Sequence, residues 1–187
     1  MDEPLFKLGS ISGEEIAPVR YTNTFGFERT RGVDRLRISA EEAPLSLLWK
    51  LAFQLTPPFF VLYVLHTSRC GHQLGRYQSP LQQFEAVNAF MAEFCSYLTD
   101  DGRHDLWLHS PGSNATLVWD RHDLIYAYGP LNQFLAVLED SHSEGNVAGP
   151  PDPHVHVYHP RYDESERKIL KHFAWHHSPL TESERQF

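Results

Sequence analysis

The tripeptide Arg-His-Asp occurs twice in the chain, eighteen positions apart, and supplies side chains suited to acid–base and anion-binding chemistry. The two copies are Arg103-His104-Asp105 and Arg121-His122-Asp123. A histidine oriented by a carboxylate can act as a general base, and an arginine can bind an anion or a partner's carboxylate. The two triplets are therefore the first candidates for a functional site.

The residues around the triplets predict that both lie at one end of a sheet. Each triplet starts an apolar, β-prone run, and a third run, Ala115–Trp119, lies between them. In an antiparallel meander the first and third strands point the same way, so the triplets would be roughly 10 Å apart. Arginine and aromatic side chains are typical of binding hot spots, so we expect the triplets to bind a protein together with Trp107. The alternative is that they form turns with weak surface ion pairs.

Two histidines separated by one residue form the candidate metal site. His154 and His156 lie in a predicted strand, 154–159, where they share one face with Cα atoms about 7 Å apart. Imidazoles in this arrangement can bind zinc or another divalent transition metal. The third ligand would come from a group that comprises His66, His104, His122 and Asp152. The alternative is an ordinary polar face, and no HExxH or paired CxxC motif supports a metal.

A complete set of catalytic residues for nucleophilic chemistry is missing from the sequence. There is no GxSxG motif and no glycine-rich phosphate loop. Ser110 and Ser113 flank Gly112 in a segment that a turn explains, and Cys70 with His72 is an isolated pair. We therefore predict no catalytic residues outside a metal site.

Charge and composition restrict the partners. The net charge of −8 opposes nucleic-acid binding, which needs a basic face, and suits a basic protein partner such as a toxin or an enzyme. The apolar stretch 45–65 is divided by Pro57-Pro58 into pieces too short to cross a bilayer, so we expect no membrane partner. Two cysteines without CxxC spacing favour reduced thiols and a cytoplasmic location.

The hydrophobic patterns predict an α+β fold in a single domain, residues 1–187. We expect a mainly antiparallel sheet of about five or six strands with three or four helices packed on it. The most distinct helix covers 79–98, with Ser79 as its N-cap and an apolar stripe that includes Phe84 and Phe94. Residues 1–18 and 176–187 are predicted to be loose termini, and 139–153 a long loop.

Two functions are compatible with these features. The first is a small acidic cytoplasmic protein without a cofactor that binds and inhibits a toxin or enzyme. Bacterial immunity proteins share this general architecture, which is an analogy of shape and not of motif. The second is a metal-dependent hydrolase that uses His154 and His156 with His104 or His122.

Overall fold

The computed structural model describes residues 5–30 and 32–182, which form two sheets and five α-helices. The strands are β1 (Leu8–Ser12), β2 (Glu15–Pro18), β3 (Thr24–Thr30), β4 (Val33–Ser39), β5 (Phe60–Leu65), β6 (Gly75–Gln78), β7 (His104–Ser110), β8 (Ala115–Trp119), β9 (Leu124–Tyr128), β10 (Ser143–Glu144), β11 (His154–His156) and β12 (His176–Ser178). The helices are α1 (Pro44–Ala52), α2 (Phe84–Glu93), α3 (Cys95–Asp100), α4 (Leu131–Leu138) and α5 (Asp163–His172). A 3₁₀ turn, Pro160–Tyr162, precedes α5.

The large sheet has nine strands in the order β10-β3-β4-β9-β8-β7-β5-β6-β12. It is a mixed sheet, because β10 and β3 are parallel while the other neighbours are antiparallel. A small antiparallel sheet has the order β11-β1-β2. The predicted antiparallel sheet of five or six strands with three or four helices is therefore wrong, although the α+β class holds. The meander β7-β8-β9 is confirmed.

The strands of the large sheet that the sequence did not reveal are short. Strands β6, β10 and β12 contain four, two and three residues. An alternation of apolar and polar residues cannot be recognised over so few positions. They pair at or near the two ends of the large sheet, where neighbouring backbone groups, rather than side-chain patterns, determine the pairing.

The main core lies between one face of the large sheet and the helices. Fully buried residues from both layers meet there, among them Leu48 and Leu51 of α1, Leu106 and Leu108 of β7, and Phe134 of α4. The 45–65 stretch is split at its prolines into α1 and β5, as predicted. Among the described residues, no helix has the length and apolar character needed to span a bilayer.

The segments predicted to be loose are partly structured. Strands β1 and β2 lie within 1–18 and β12 within 176–187, while residues 1–4 and 183–187 fall outside the described part. The 139–153 segment contains β10, and the Gly145 amide donates to the Phe25 carbonyl at 2.8 Å. A second apolar cluster of Leu8, Tyr21, Leu124 and Val147 joins the N-terminal strands and the 139–153 segment to the large sheet.

The helix predicted over 79–98 begins later than its sequence signals indicate. Ser79 does not cap it, because the Ser79 Oγ atom accepts a hydrogen bond from the Val61 amide at 2.9 Å. The chain therefore continues alongside β5, and α2 starts only at Phe84. The apolar stripe is core from Val87 to Leu98, with Phe94 buried, whereas Phe84 is half-buried and Leu81 is 49% exposed.

Candidate metal centre

Arg103 is a buried centre of ion pairs and not part of a binding surface. Its side chain is 0% exposed, and its Nε and Nη2 atoms each lie 2.9 Å from a carboxylate oxygen, of Asp101 and Asp163 respectively. Its Nη1 atom pairs with Glu166, and Nη2 also donates to the His159 carbonyl at 2.8 Å. Arg103 thus fastens α5 to the beginning of β7 and is out of reach of a protein partner.

His104 is also a core residue. Its ring lies 5.1 Å from that of Tyr63 and 4.7 Å from that of Tyr97, measured between centroids. Burial, followed by the positive charge of Lys7, holds the pKa of His104 well below its ordinary value. The neutral His104 ring is packed in the core and does not group with His154 and His156. His104 is therefore not the third ligand.

Asp105 joins the two triplets. Its Oδ1 atom accepts a hydrogen bond from the Arg121 amide at 2.8 Å, and its Oδ2 atom lies 2.9 Å from Nε2 of His66. Burial raises the pKa of Asp105, but the hydrogen bonds and charges of His66 and Arg121 outweigh it and leave the pKa below its ordinary value. The triplets are therefore neighbours at one end of the sheet, as the meander predicts.

The second triplet forms the turn between β8 and β9. Asp120 Oδ1 accepts hydrogen bonds from the amides of His122 and Leu124, at 3.0 and 2.9 Å. Asp123 has a left-handed backbone, with φ of 63°. In this turn the His122 side chain is half-buried, whereas Arg121 is buried, with 6% of its surface exposed.

Lys7 stabilises this turn by contacts with Asp123 and Trp119. Its side chain is 1% exposed, its Nζ atom lies 3.1 Å from Asp123 Oδ1, and it stacks 3.6 Å above the Trp119 ring. Trp119 Nε1 donates to the same Asp123 oxygen at 3.0 Å. Asp123 is therefore a structural residue of the turn and not an available binding group.

His122, His154 and His156 form the candidate metal centre. Each offers one ring nitrogen, and these nitrogens lie within 4.8 Å of one another. The ring centroids of the three pairs are 4.8 to 5.5 Å apart, and all three rings are half-buried. An ion with bonds of about 2.1 Å and tetrahedral angles needs nitrogens roughly 3.4 Å apart. The ring nitrogens, which lie within 4.8 Å of one another, would have to approach to that spacing to bind the ion.

Hydrogen bonds determine which nitrogen two of these rings present. His154 Nδ1 lies 2.8 Å from the Pro151 carbonyl oxygen, which can only accept, so Nδ1 carries the proton. His122 Nδ1 lies 3.2 Å from Asp120 Oδ2, which fixes its tautomer in the same way. Both rings therefore direct an Nε2 lone pair away from these partners. Metal-ligating histidines use the same outer hydrogen bonds to carbonyls and carboxylates.

The electrostatic setting keeps His156 neutral. Burial, then the charge of Arg121, and then His122 and His154 lower the pKa of His156 to about 3. Its Nδ1 atom is buried without a hydrogen-bond partner among the described residues. A neutral imidazole is the form that binds a metal.

Strand β11 reaches the turn because a glycine allows close approach. A Cβ atom on Gly102 would lie 2.5 Å from the Lys7 carbonyl oxygen and 3.1 Å from His156 Cβ. The Gly102 amide donates to the Val157 carbonyl at 2.9 Å, and the His159 amide donates to Asp101 Oδ2 at 2.8 Å. These contacts fix the small sheet against the beginning of β7, with its histidines beside His122.

A second group of possible ligands, Cys70, His72 and Glu166, is less suited to a metal. Both oxygens of Glu166 are already bound, one by the Ser68 hydroxyl and the other by Arg103. Burial raises the pKa of the Cys70 thiol, which disfavours the thiolate that a metal requires. The carboxylate and the thiol would both have to change partners or protonation.

Trp107 lies on the opposite face of the sheet from the main core. Leu106 and Leu108 on either side of it are fully buried, whereas Trp107 is half-buried. Arg76 lies 5.5 Å over its ring, and a shallow pocket of about 210 Å³ extends from Trp107 to His109. Among the binding residues predicted within 103–107, Trp107 is thus the one that is not buried.

Several residues that shape the centre were missed from the sequence. Lys7 lies in the segment predicted to be loose, and Gly102 and Asp120 were interpreted only as turn residues. A lysine inside an apolar N-terminal run, Leu5 to Leu8, was the available signal for a buried cation. No protein-family model, curated protein or solved structure matches the chain, so the function is inferred from the chemistry of this centre.

Proposed function

We propose that the protein is a metal-dependent hydrolase whose zinc, or other divalent transition metal, is bound by His122, His154 and His156. The observation that carries this proposal is the convergence of three ring nitrogens within 4.8 Å. Three protein ligands with one open position are typical of catalytic zinc, whereas structural zinc has four. The half-buried rings leave a side that water can reach. A bound ion supplies hydrolytic chemistry by lowering the pKa of a water molecule to about 7.

Metal titration of the purified chain tests the binding step. We expect one ion per chain and a loss of affinity of at least ~100-fold in the double variant His154→Ala, His156→Ala, because two of three ligands are removed. The control is His176→Ala with His177→Ala, since these histidines lie on the edge strand β12. A wild-type chain that binds no zinc, or a double variant that binds it equally well, would overturn the proposal.

Hydrolysis tests the catalytic step. The zinc-loaded protein should cleave 4-nitrophenyl phosphate or 4-nitrophenyl acetate, and removal of zinc with a chelator should abolish the rate. The His154→Ala, His156→Ala variant should be inactive while its unfolding midpoint stays within the range of the zinc-free wild type. A zinc-loaded protein that cleaves neither ester nor any activated analogue would reduce the proposal to metal binding alone.

A second candidate is the non-enzymatic binding protein, in the cytoplasm, that inhibits a basic toxin or enzyme. Two observations support it: the net charge of −8 and the half-buried Trp107 beside its shallow pocket. The free thiols of Cys70 and Cys95 fit a reducing compartment. The burial of Arg103 and His104 counts against it, since the first triplet offers no surface.

Calorimetry against the product of a neighbouring gene, where that product is a basic protein, tests this second candidate. Truncation of a hot-spot tryptophan weakens binding by roughly 30-fold or more, so Trp107→Ala should show that loss. His176→Ala is the control. Equal affinity of the wild type and Trp107→Ala would remove Trp107 from any interface.

A further inference from the structure

Arg121 differs from the other buried cations. The described residues contain three of them, Lys7, Arg103 and Arg121. Lys7 is paired with Asp123, and Arg103 is paired with three carboxylates. Within residues 5–30 and 32–182, no ion pair is formed by Arg121, and its buried Nη2 atom has no hydrogen-bond partner. A buried N–H donor without an acceptor is unfavourable, so the persistence of this one requires a reason.

The neighbouring carboxylate does not neutralise the guanidinium by direct contact. Asp105 is held by the Arg121 backbone amide through Oδ1 and by His66 through Oδ2, so both of its oxygens are engaged. Asp120 is occupied by His122 and by backbone amides of its own turn. The Nη2 atom of Arg121 is thus left without an acceptor among the described residues.

Arg121 lies next to the candidate ligand His122 in the chain. Arg121 immediately precedes His122 in the β8–β9 turn, and its side chain cannot extend into solvent because it is 6% exposed. His122 in turn lies next to His156, with the two ring centroids 4.8 Å apart. A fixed cation therefore borders the candidate metal centre.

We propose that the metal centre acts on anionic substrates and that Arg121 binds their anionic oxygen, a phosphate or a carboxylate, beside the metal. This inference rests on the proposed function. An arginine presents paired N–H donors that match such oxygens, and an anion would accept the hydrogen bond that the buried Nη2 atom does not make. It would also bridge two cations, the arginine and the ion, that otherwise repel each other. Metal and anion should consequently strengthen each other's binding, because coupling between two ligands is reciprocal.

Cobalt(II) is the probe, since its visible absorption responds to a change in its ligands. The cobalt-loaded full chain is titrated separately with methylphosphonate and with acetate, and the anion dissociation constants are compared among variants. We expect Arg121→Gln to weaken anion binding by ~10- to 100-fold, as expected for lost hydrogen bonds to a charged group. Arg121→Lys keeps the charge and should lose less. Arg29→Gln, an exposed arginine at the opposite end of the sheet, is the control.

The outcomes separate this inference from the proposed function. If the wild-type chain does not bind cobalt, both fall together. If cobalt binds, two results would contradict the role of Arg121 while leaving the metal centre supported. The first is equal affinity of the wild type and Arg121→Gln for each anion, and the second is that neither anion binds. If Arg121→Gln does not fold, Arg121→Lys decides, because unchanged anion affinity there overturns the need for the guanidinium fork. Tighter binding of methylphosphonate than acetate assigns the site to phosphate, and the reverse order assigns it to carboxylate.

Discussion

At the scale of single residues, the candidate ligands depend on partners that carry no metal themselves. Asp120 serves both the turn and the His122 ring, since one of its oxygens accepts backbone amides and the other lies beside Nδ1 of His122. Pro151 provides the equivalent acceptor for His154. Such partners fix ring orientation and raise ligand basicity.

Asp120→Asn separates these two roles of Asp120. The asparagine keeps an oxygen for the amides but replaces the carboxylate at Oδ2, so we expect a ~10- to 100-fold loss of zinc affinity with little loss of stability. Zinc titration with parallel thermal unfolding measures both. Asp140→Asn, on an exposed part of the chain, serves as the control, and unchanged zinc affinity in Asp120→Asn would exclude the orienting role.

Removal of the Arg103 charge should be costly. Arg103→Met leaves the fully buried carboxylates of Asp101 and Glu166 without their cation, and breaking a buried pair this way costs about 3–5 kcal/mol. The matched control is Arg167→Met, which breaks the exposed pair with Glu164 and should cost about 0–1 kcal/mol. Urea denaturation measures both values, and similar midpoints would show that burial does not strengthen the Arg103 cluster.

The sequence indicated some of these residues and concealed others. The spacing of His154 and His156 predicts a shared face because strand side chains alternate, and His122 was among the third ligands considered. The burial of Arg103 was hidden because its partner Glu166 lies 63 residues away in the chain. Nothing local distinguishes an arginine that meets distant carboxylates from one that faces solvent.

At the scale of elements, apolar spacing located the helices well, whereas polar signals placed their ends poorly. The stripe that runs from Val87 to Leu98 is core, but Ser79 looked like an N-cap and instead binds the amide of Val61. A serine hydroxyl can serve a helix or a neighbouring strand equally well. The choice depends on tertiary contacts that periodicity does not contain.

Truncation of Phe94 tests the packing of this element. Phe94 lies at the junction of α2 and α3, is buried, and has its ring centroid 5.3 Å from that of Phe90. We expect Phe94→Ala to lower the free energy of unfolding by about 3–5 kcal/mol. Leu81→Ala removes an exposed side chain from the same predicted stripe and should cost far less. Equal effects in urea denaturation would contradict the assigned helix boundary.

At the scale of the whole molecule, buried histidine makes stability depend on pH. His104 is neutral in the fold with a pKa well below its ordinary value, while the unfolded chain titrates near 6.5. Below about pH 6.5 the unfolded state therefore takes up a proton that the folded state excludes. The contribution of His104 to the free energy of unfolding is complete above that pH. It falls as the pH decreases, by about 1.4 kcal/mol per pH unit for one such group.

The variant His104→Gln should have a free energy of unfolding that depends less steeply on pH, by the amount due to one proton. The free energies of unfolding of the wild type and the variant are measured between pH 6.5 and 5. The wild type should lose stability faster as the pH falls, so the two free energies should approach each other. His176→Gln, an exposed histidine, should leave the slope unchanged. Parallel pH profiles for the wild type and His104→Gln would show that His104 is accessible to protons in the folded state.

The positions of the three histidines in the two sheets have a mechanical consequence. His122 belongs to a turn of the large sheet, whereas His154 and His156 belong to the small one. An ion shared among them would be a reversible cross-link between the large sheet and the small one. At a free zinc concentration 100 times the dissociation constant, this link would add about 2.7 kcal/mol and raise the melting temperature by about 5–10 °C. Zinc supply would then govern how firmly the N-terminal strands stay attached, and chelation would release them first.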